Sequence, residues 1–359
     1  MSPPSPVGPL DLVLHLGMGK TGTSTIQFFL RDHREDLASQ GLLYPATPGR
    51  GRHHKLGLSV KPPRELERSP EWSRVEQRDP TKFRRRFRRQ LMNEIAESGL
   101  SRVLFSDEVL FGSSHPTLRR LGKWTSGIAR SQRVLVYLRR QDDHMVSRYQ
   151  EEVKLGEVRR LEEWSRQPMR SLYDYYTRLR KIQELLAPAD VEVRRYERDR
   201  FPRGSVLEDF LEAVGVDLGT AATTGGPDRN TGLDAESVEF LRLLNLHRVE
   251  QESAVPGLVD NRDLGQRLAD ASEGPSLTLP AAFLDPFMTR WEASNEQVAR
   301  EFLGDRSGIL FRGPRRSRGI TLDQRLDPGR IEHFVRVTEL SEELVAPLRA
   351  VAERERRPA

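Results

Sequence analysis

Between Leu14 and Gln27 the chain reads LHLGMGKTGTSTIQ, an apolar run that meets a glycine-rich turn and passes straight into a helical pattern. A turn of this kind aims free backbone N–H groups and a helix N-terminus at an anion. Gly17, Gly19 and Gly22 let the backbone come close, Lys20 brings a point charge, and Thr21, Thr23, Ser24 and Thr25 bring hydroxyls. The nucleotide-binding pattern GxxxxGK[ST] is nearly met. Gly19, Lys20 and Thr21 fit it, but the position of the leading glycine is Leu14. An ordinary tight βα turn also gathers two or three glycines. The lysine followed by four hydroxyls at a helix start is what points to phosphate.

The wording Lys-Thr-Gly-Thr-Ser after an apolar strand resembles the 5′-phosphosulfate loop of sulfotransferases that use 3′-phosphoadenosine-5′-phosphosulfate (PAPS). The resemblance implies that Lys20, Thr21, Gly22, Thr23, Ser24 and Thr25 hold the 5′-phosphosulfate. That family has a second element, a strand ending in Arg with Ser eight residues later, both on the 3′-phosphate. VLVYLRRQDDHMVSRY (134–149) supplies Arg139 and Ser147 in that relation. Ser147 then lies about 11–12 Å along a helix from Arg139, within reach of one shared phosphate. Where many members read Arg-Asn-Pro or Arg-Asp-Pro, this chain reads Arg139-Arg140-Gln141. The similarity continues through GLLYP (41–45), SDE (106–108), VEVRRYERDRF (191–201) and SVLEDFLEAVGV (205–216), and more weakly through SNEQVAREFLG (294–304).

The family resemblance implies transfer of a sulfuryl group from PAPS to a hydroxyl, less readily an amine, of a small-molecule, carbohydrate or specialised-metabolite acceptor. Such transfer is governed by positioning and charge stabilisation. Lys20 is the expected cation for charge developing on the bridging oxygen. Two residues are candidates for the base that activates the acceptor. Glu108 follows the third strand in SDE, where the family's cytosolic branch carries a histidine base, and its plainer role is to pair with an arginine. His54, or its neighbour His53, lies in the region after the second strand from which several branches draw a catalytic glutamate. Asp107 is a third candidate. FRGPRRSRG (311–319) is reminiscent of the basic lid some members close over the 3′-phosphate, with Arg312 to Arg318 as its cations. Tyr196, Trp164 and Trp291 are candidates to stack on adenine, with packing as the plainer role for each. Adjacent histidines do not make the usual helical pair of metal ligands, so no metal site is expected.

These residues need a frame. LVLHL (12–16), GLLYP (41–45), RVLFS (102–106), RVLVYL (133–138) and VEVRRY (191–196) read as buried strands, with helical patterns between them. Alternation of this kind predicts a parallel sheet covered on both faces. The fold class expected is α/β, a three-layer P-loop-type fold with a central parallel sheet plus a helical C-terminal subdomain. One helix is expected from the turn to about Gln40, and the Gly/Pro/Arg-rich segment 46–72 is expected to be a long loop. Asp79-Pro80 marks a helix start, with Phe83, Phe87, Leu91 and Ile95 on its inner face. Residues 1–10 are expected to be disordered, 11–220 to form the PAPS-binding core, and 221–359 to form helices (233–249, 280–303, 330–356) packed on it.

Composition sets the outer bounds. The 359 residues are 36% hydrophobic and 31% charged, enough apolar content for a sizeable core. The absence of cysteine removes disulfides and thiolate chemistry. No positive leader or long apolar run is seen, so a cytoplasmic protein without a membrane span is expected. Seven lysines stand against 51 arginines, yet the net charge is only +5. KFRRRFRRQ (82–90) reads as the solvated face of an amphipathic helix rather than as a nucleic-acid site. Two rivals stay open. One is a P-loop kinase or NTPase using ATP-magnesium, with Asp107 as the metal-holding acid; the other is a basic nucleic-acid-binding protein that uses the two arginine-rich runs.

Overall fold

Five apolar runs become five parallel strands: β1 (Leu10–Leu16), β2 (Leu42–Leu43), β3 (Arg102–Asp107), β4 (Ala129–Leu138) and β5 (Asp190–Arg195). Their order is β2-β3-β1-β4-β5, with β1 in the centre paired to β3 and β4. The structure, a computed structural model, describes residues 8–219, 232–251, 259–315 and 318–356. Most of the segment expected to be disordered at the N-terminus lies outside these, while Leu10 already opens β1.

Strands buried on both faces need helices on both. On one face Val13, Leu104, Leu135 and Tyr137 pack with Ile26, Phe29 and Leu30 of α1 (Thr23–Asp32) and with Phe210 and Val214 of the later helix Val206–Val214. On the other, Phe105 meets Trp124, their ring centroids 6.0 Å apart. The chain is thus a three-layer α/β fold with additional helices.

Local patterns account for most helices, with two differences. The helix expected to reach Gln40 breaks at His33 into α1 and α2 (Arg34–Ser39). The expected loop 46–72 holds α3 (His54–Val60), α4 (Pro63–Glu67) and a short 3-10 turn (Pro70–Arg74). Burial explains the second. Leu58, Leu66 and Trp72 cluster with Phe83 of α5 (Pro80–Ser98), so tertiary contact outweighs a composition rich in Gly, Pro and Arg. Arg84 of α5 donates to the carbonyls of Ser59 (3.0 Å) and Lys61 (2.7 Å), closing the end of α3. In α5 itself Asp79 accepts from Thr81 and Lys82 N–H, and Phe83, Phe87, Leu91 and Ile95 are buried. Helices α6 (His115–Ser126), α7 (Gln141–Lys154), α8 (Leu161–Ser165), α9 (Arg170–Tyr173), α10 (Tyr175–Leu185) and α11 (Val206–Val214) follow.

The chain forms two compact units, each drawn from three segments. The sheet unit comprises residues 1–139, 170–227 and 292–313. The helix Glu292–Leu303 therefore belongs with the sheet and is separate from the helix Ala281–Thr289 that precedes it. The second unit comprises 140–169, 228–291 and 314–359, so α7 and α8 lie in it, against an expected division near residue 220. Its core stacks Phe240 on Phe334 (5.3 Å) and buries an ion pair of Arg242 with Glu239 (2.7 Å). Residues 276–277 and 320–321 form a short parallel pair there.

Candidate functional site

The turn after β1 is shaped by close approach. Gly17 N–H donates to the Asp107 carbonyl (3.2 Å), and a Cβ on Gly17 would lie 2.9 Å from Cα of Glu108. Only glycine lets the ends of β1 and β3 meet so closely. Lys20 (φ 66°) and Gly22 (φ 74°) are both left-handed, which folds the turn back into the start of α1. Thr21 and Thr23 are buried and donate their hydroxyls to the Met18 carbonyl (2.6 and 3.2 Å). They brace the turn from inside, whereas Ser24 is exposed. Helix α1 has no side-chain N-cap and no acidic residue in its first turn, so its positive end is set up for an anion.

Arg139, directly after β4, reaches this turn. Its Nη1 donates to the Lys20 carbonyl (3.0 Å), its guanidinium lies over the Tyr196 ring (5.8 Å), and Tyr175 Oη donates to its carbonyl (2.7 Å). Tyr196 also packs against Gly22 and Phe201, which gives it a structural place beside the turn. Arg140 turns elsewhere and pairs with Asp142 (2.8 Å). The two neighbouring arginines are thereby separated in role. Ser147 is half-buried on α7 and belongs to the second unit.

Beside the turn lies a cleft of about 300 Å³, lined among others by Ser24, Gln27, Phe28, Arg52, His54 and Glu108. Both candidate bases thus face one space. Arg52 organises it: Nε binds Asp107 Oδ1 (2.9 Å), and Nη1 lies 3.3 Å from Glu108 Oε1 and 3.5 Å from Glu71 Oε1. Nδ1 of His54 is 3.3 Å from the Arg52 carbonyl. A carbonyl only accepts, so Nδ1 carries the proton and Nε2 is the basic nitrogen. Burial holds the His54 pKa below its ordinary value, which keeps the ring neutral near pH 7.

His53 is a different case from its neighbour. It is fully buried, stacks on Tyr44 (4.2 Å) and accepts from Ser106 N–H at Nδ1 (3.2 Å). Burial pushes its pKa down to about 3. It is a core residue, so His54 alone of the pair reaches the cleft. Asp107 is 1% exposed and its Oδ1 serves Arg52 and Val109 N–H (3.2 Å), which commits it inside the chain.

The 311–319 segment is also committed. The Arg312 side chain pairs with Asp305, and the Arg312 and Gly313 N–H groups both donate to Glu197 Oε1 (2.7 and 2.6 Å). Arg315 pairs with Asp142 (2.8 Å) and Asp285 (2.7 Å). Residues 316 and 317 lie outside the described residues. Trp164 is buried against Tyr149 (5.5 Å) and Trp291 against Phe287 (6.1 Å), as packing residues. Among the described residues no group of three or more His, Asp or Glu side chains is arranged to hold a metal ion. No helix among them is long and apolar enough to cross a membrane.

Sequence reasoning passed over Arg52 and the stripe on α1. Ser24, Gln27, Phe28 and Arg31 all line the cleft at i, i+3, i+4 and i+7, so one helix face supplies a wall. Phe28, an aromatic residue off the face that carries Ile26, Phe29 and Leu30, was the available signal, and it is 38% exposed. Arg52 had none, being one arginine among 51.

No known family profile matches the chain. No solved structure matches it. A stretch of 188 residues is 29% identical to a protein of Archaeoglobus fulgidus described as an uncharacterized protein. That match covers 51% of this chain and 49% of the relative, so the chain spans about half the length of the relative it matches.

Proposed function

We propose that the chain is a PAPS-dependent sulfotransferase that moves a sulfuryl group to an acceptor hydroxyl in the cleft between Ser24, His54 and Glu108. One observation carries the reading. A lysine-bearing turn with an uncapped helix start, tied by Arg139, stands next to a cleft that holds a neutral, oriented histidine.

The residues present fit the cofactor's chemistry. The open positive end of α1 and the Lys20 ammonium suit a 5′-phosphosulfate, and Ser24 adds a hydroxyl at the cleft edge. Within the sheet unit, Arg139 is assigned to the 3′-phosphate. PAPS supplies the activated sulfuryl group when bound. Lys20 stabilises charge gathering on the bridging oxygen. His54 takes the acceptor proton at Nε2, with Nδ1–H anchored on the Arg52 carbonyl. Glu108 and Asp107 hold the Arg52 guanidinium, which fixes the loop that carries His54. The work is assigned to the cytoplasm.

The decisive experiment is a thermal-shift comparison of 3′,5′-ADP, the product of the cofactor, with 5′-ADP and ATP-magnesium. At 100 times Kd a ligand stabilises by about 2.7 kcal/mol. A shift with 3′,5′-ADP alone supports the reading and justifies an acceptor screen with labelled PAPS. A shift with ATP-magnesium alone overturns it in favour of a kinase or NTPase.

A further inference from the structure

Gln27 is a buried side chain at the cleft to which the proposed chemistry gives no task. It is 4% exposed and reaches from α1 to the far part of β3, where its Nε2 lies 3.1 Å from Ser106 Oγ and 3.4 Å from the Ser106 carbonyl oxygen. A carbonyl only accepts, so the amino end of the amide is turned to Ser106 and the carbonyl end, Oε1, is left over. The anchor is firmly held. Ser106 pairs in register with His15 of β1, its N–H donates to His53 Nδ1 (3.2 Å), and its carbonyl accepts from His53 N–H (3.0 Å). Its hydroxyl is shared with His15 Nδ1 (2.8 Å). Both histidines are fully buried. A side chain locked at one end is preorganised for what it meets at the other.

Among the described residues no donor is hydrogen-bonded to Gln27 Oε1. A buried amide oxygen without a donor costs free energy that the O–H or N–H of a ligand recovers. Much of the cleft offers donors instead, since Arg31, Arg50 and Arg52 line it as well. Its carboxylate, Glu108, has Oε1 3.3 Å from Arg52 Nη1. Two neutral acceptors therefore come to one cleft from two helices, Nε2 of His54 from α3 and Oε1 of Gln27 from α1. We infer that Gln27 determines specificity: its Oε1 accepts from a second O–H or N–H of the acceptor molecule, which brings the reacting hydroxyl to rest on His54 Nε2. The inference rests on the sulfuryl-transfer reading for the role of His54, and it deepens that reading by requiring two hydrogen-bond donors of the acceptor rather than one.

The plainer role for Gln27 is to tie α1 to β3. That role is served by Nε2 alone and makes no distinction between ligands. A site that hydrogen-bonds a donor of its ligand, by contrast, rejects the analogue that lacks it, because a buried group of the site is then left unpaired. Selectivity between matched ligands is thus what separates the two.

The test is a ligand-observed NMR titration of the full chain with cis-1,2- and cis-1,3-cyclohexanediol and with cyclohexanol, which lacks the second hydroxyl. The wild type should bind the better diol roughly tenfold more tightly than cyclohexanol. In Gln27→Met, which keeps the length of the side chain and loses its amide, that ratio should fall to about one. Should this variant not fold, Gln27→Asn draws the amide back by one methylene and carries the same comparison. Equal binding of diol and cyclohexanol by the wild type overturns the inference, as does binding of neither. So does a diol preference that survives in the variant, including the case in which the variant binds both ligands equally weakened. A 3′,5′-ADP thermal shift on the same samples reads the sulfotransferase site separately. A shift without diol preference removes only the role given to Gln27. A diol preference that depends on Gln27, with no shift, supports the second-donor contact and removes the sulfotransferase reading.

Discussion

Arg139 Nη1 donates to the Lys20 carbonyl oxygen at 3.0 Å, so the end of β4 holds the turn that follows β1. The bond runs to backbone, and it fixes a residue whose own φ of 66° is unfavourable for a side chain. Arg139 therefore acts on the turn itself besides any contact it makes with a nucleotide. Arg139→Lys keeps the charge but loses the planar fork. A hydrogen bond from a charged group contributes about 1.5–3 kcal/mol, so affinity for 3′,5′-ADP should fall at least tenfold with the far-ultraviolet circular dichroism unchanged. Undiminished affinity in a titration calorimeter would show that Arg139 is not part of the nucleotide site.

Lys20 gives a cleaner separation of stability from activity. A left-handed non-glycine residue costs of order 1 kcal/mol, and glycine adopts the same backbone without that cost. Lys20→Gly should therefore raise stability toward urea by about 1 kcal/mol less the entropy glycine adds to the unfolded chain. It should also lower sulfuryl transfer by about 10²–10³, the loss expected when a charge-stabilising group is removed from a reacting centre. Lys20→Ala should show the same loss of transfer without the gain in stability. Transfer at the wild-type rate in either variant would remove Lys20 from the chemistry.

His54 and Glu108 share the cleft, and their variants should part company with pH. If neutral His54 is the base, as proposed, transfer is present above its pKa and lost as pH falls through it. Burial places that pKa below the ordinary 6.5. The acid limb of the wild-type profile should lie below pH 6.5. His54→Ala should lose about 10²–10⁴ in rate and lose that limb. Glu108→Gln keeps the shape and releases Arg52 in part, so its profile should keep the limb at reduced height. An intact limb in His54→Ala, together with its loss in Glu108→Gln, would make Glu108 the base.

The sheet was legible because strands buried on both faces are continuous apolar runs, and LVLHL, RVLFS and RVLVYL stop at polar or glycine residues. The turn was legible because its glycines, lysine and hydroxyls are neighbours in sequence. The wall of the cleft opposite α1 was not. Gly57 and the Pro62-Pro63 pair interrupt any helical period in 46–72, and α3 is decided by Leu58 meeting Phe83 far along the chain. Gly57 is required there, since a Cβ would stand 2.5 Å from Asp107 Oδ2. Nor does the sequence separate His53 from His54. Adjacent residues point to different sides at the start of a helix, and only the packing of Tyr44 on His53 says which faces inward.

The core histidines make the sheet unit sensitive to acid. His15 is fully buried between Tyr137 and Phe210, with Nδ1 2.8 Å from Ser106 Oγ, and burial lowers its pKa to about 3, as it does for His53. In the unfolded chain each titrates near 6.5. Between pH 6.5 and 3 the unfolded state therefore binds more protons than the folded one, and stability falls as pH is lowered through that window. At 1.36 kcal/mol per pH unit, each histidine should remove about 2 kcal/mol between pH 6.5 and 5. Urea midpoints at pH 7.5 and 5.0 should show this loss in the wild type. His15→Gln keeps a hydrogen-bonding partner for Ser106 and does not titrate, so it should be less stable at pH 7.5 yet lose about 2 kcal/mol less on going to pH 5.0. An identical pH dependence in that variant would mean that His15 is protonated in the folded state and that its pocket is open to water.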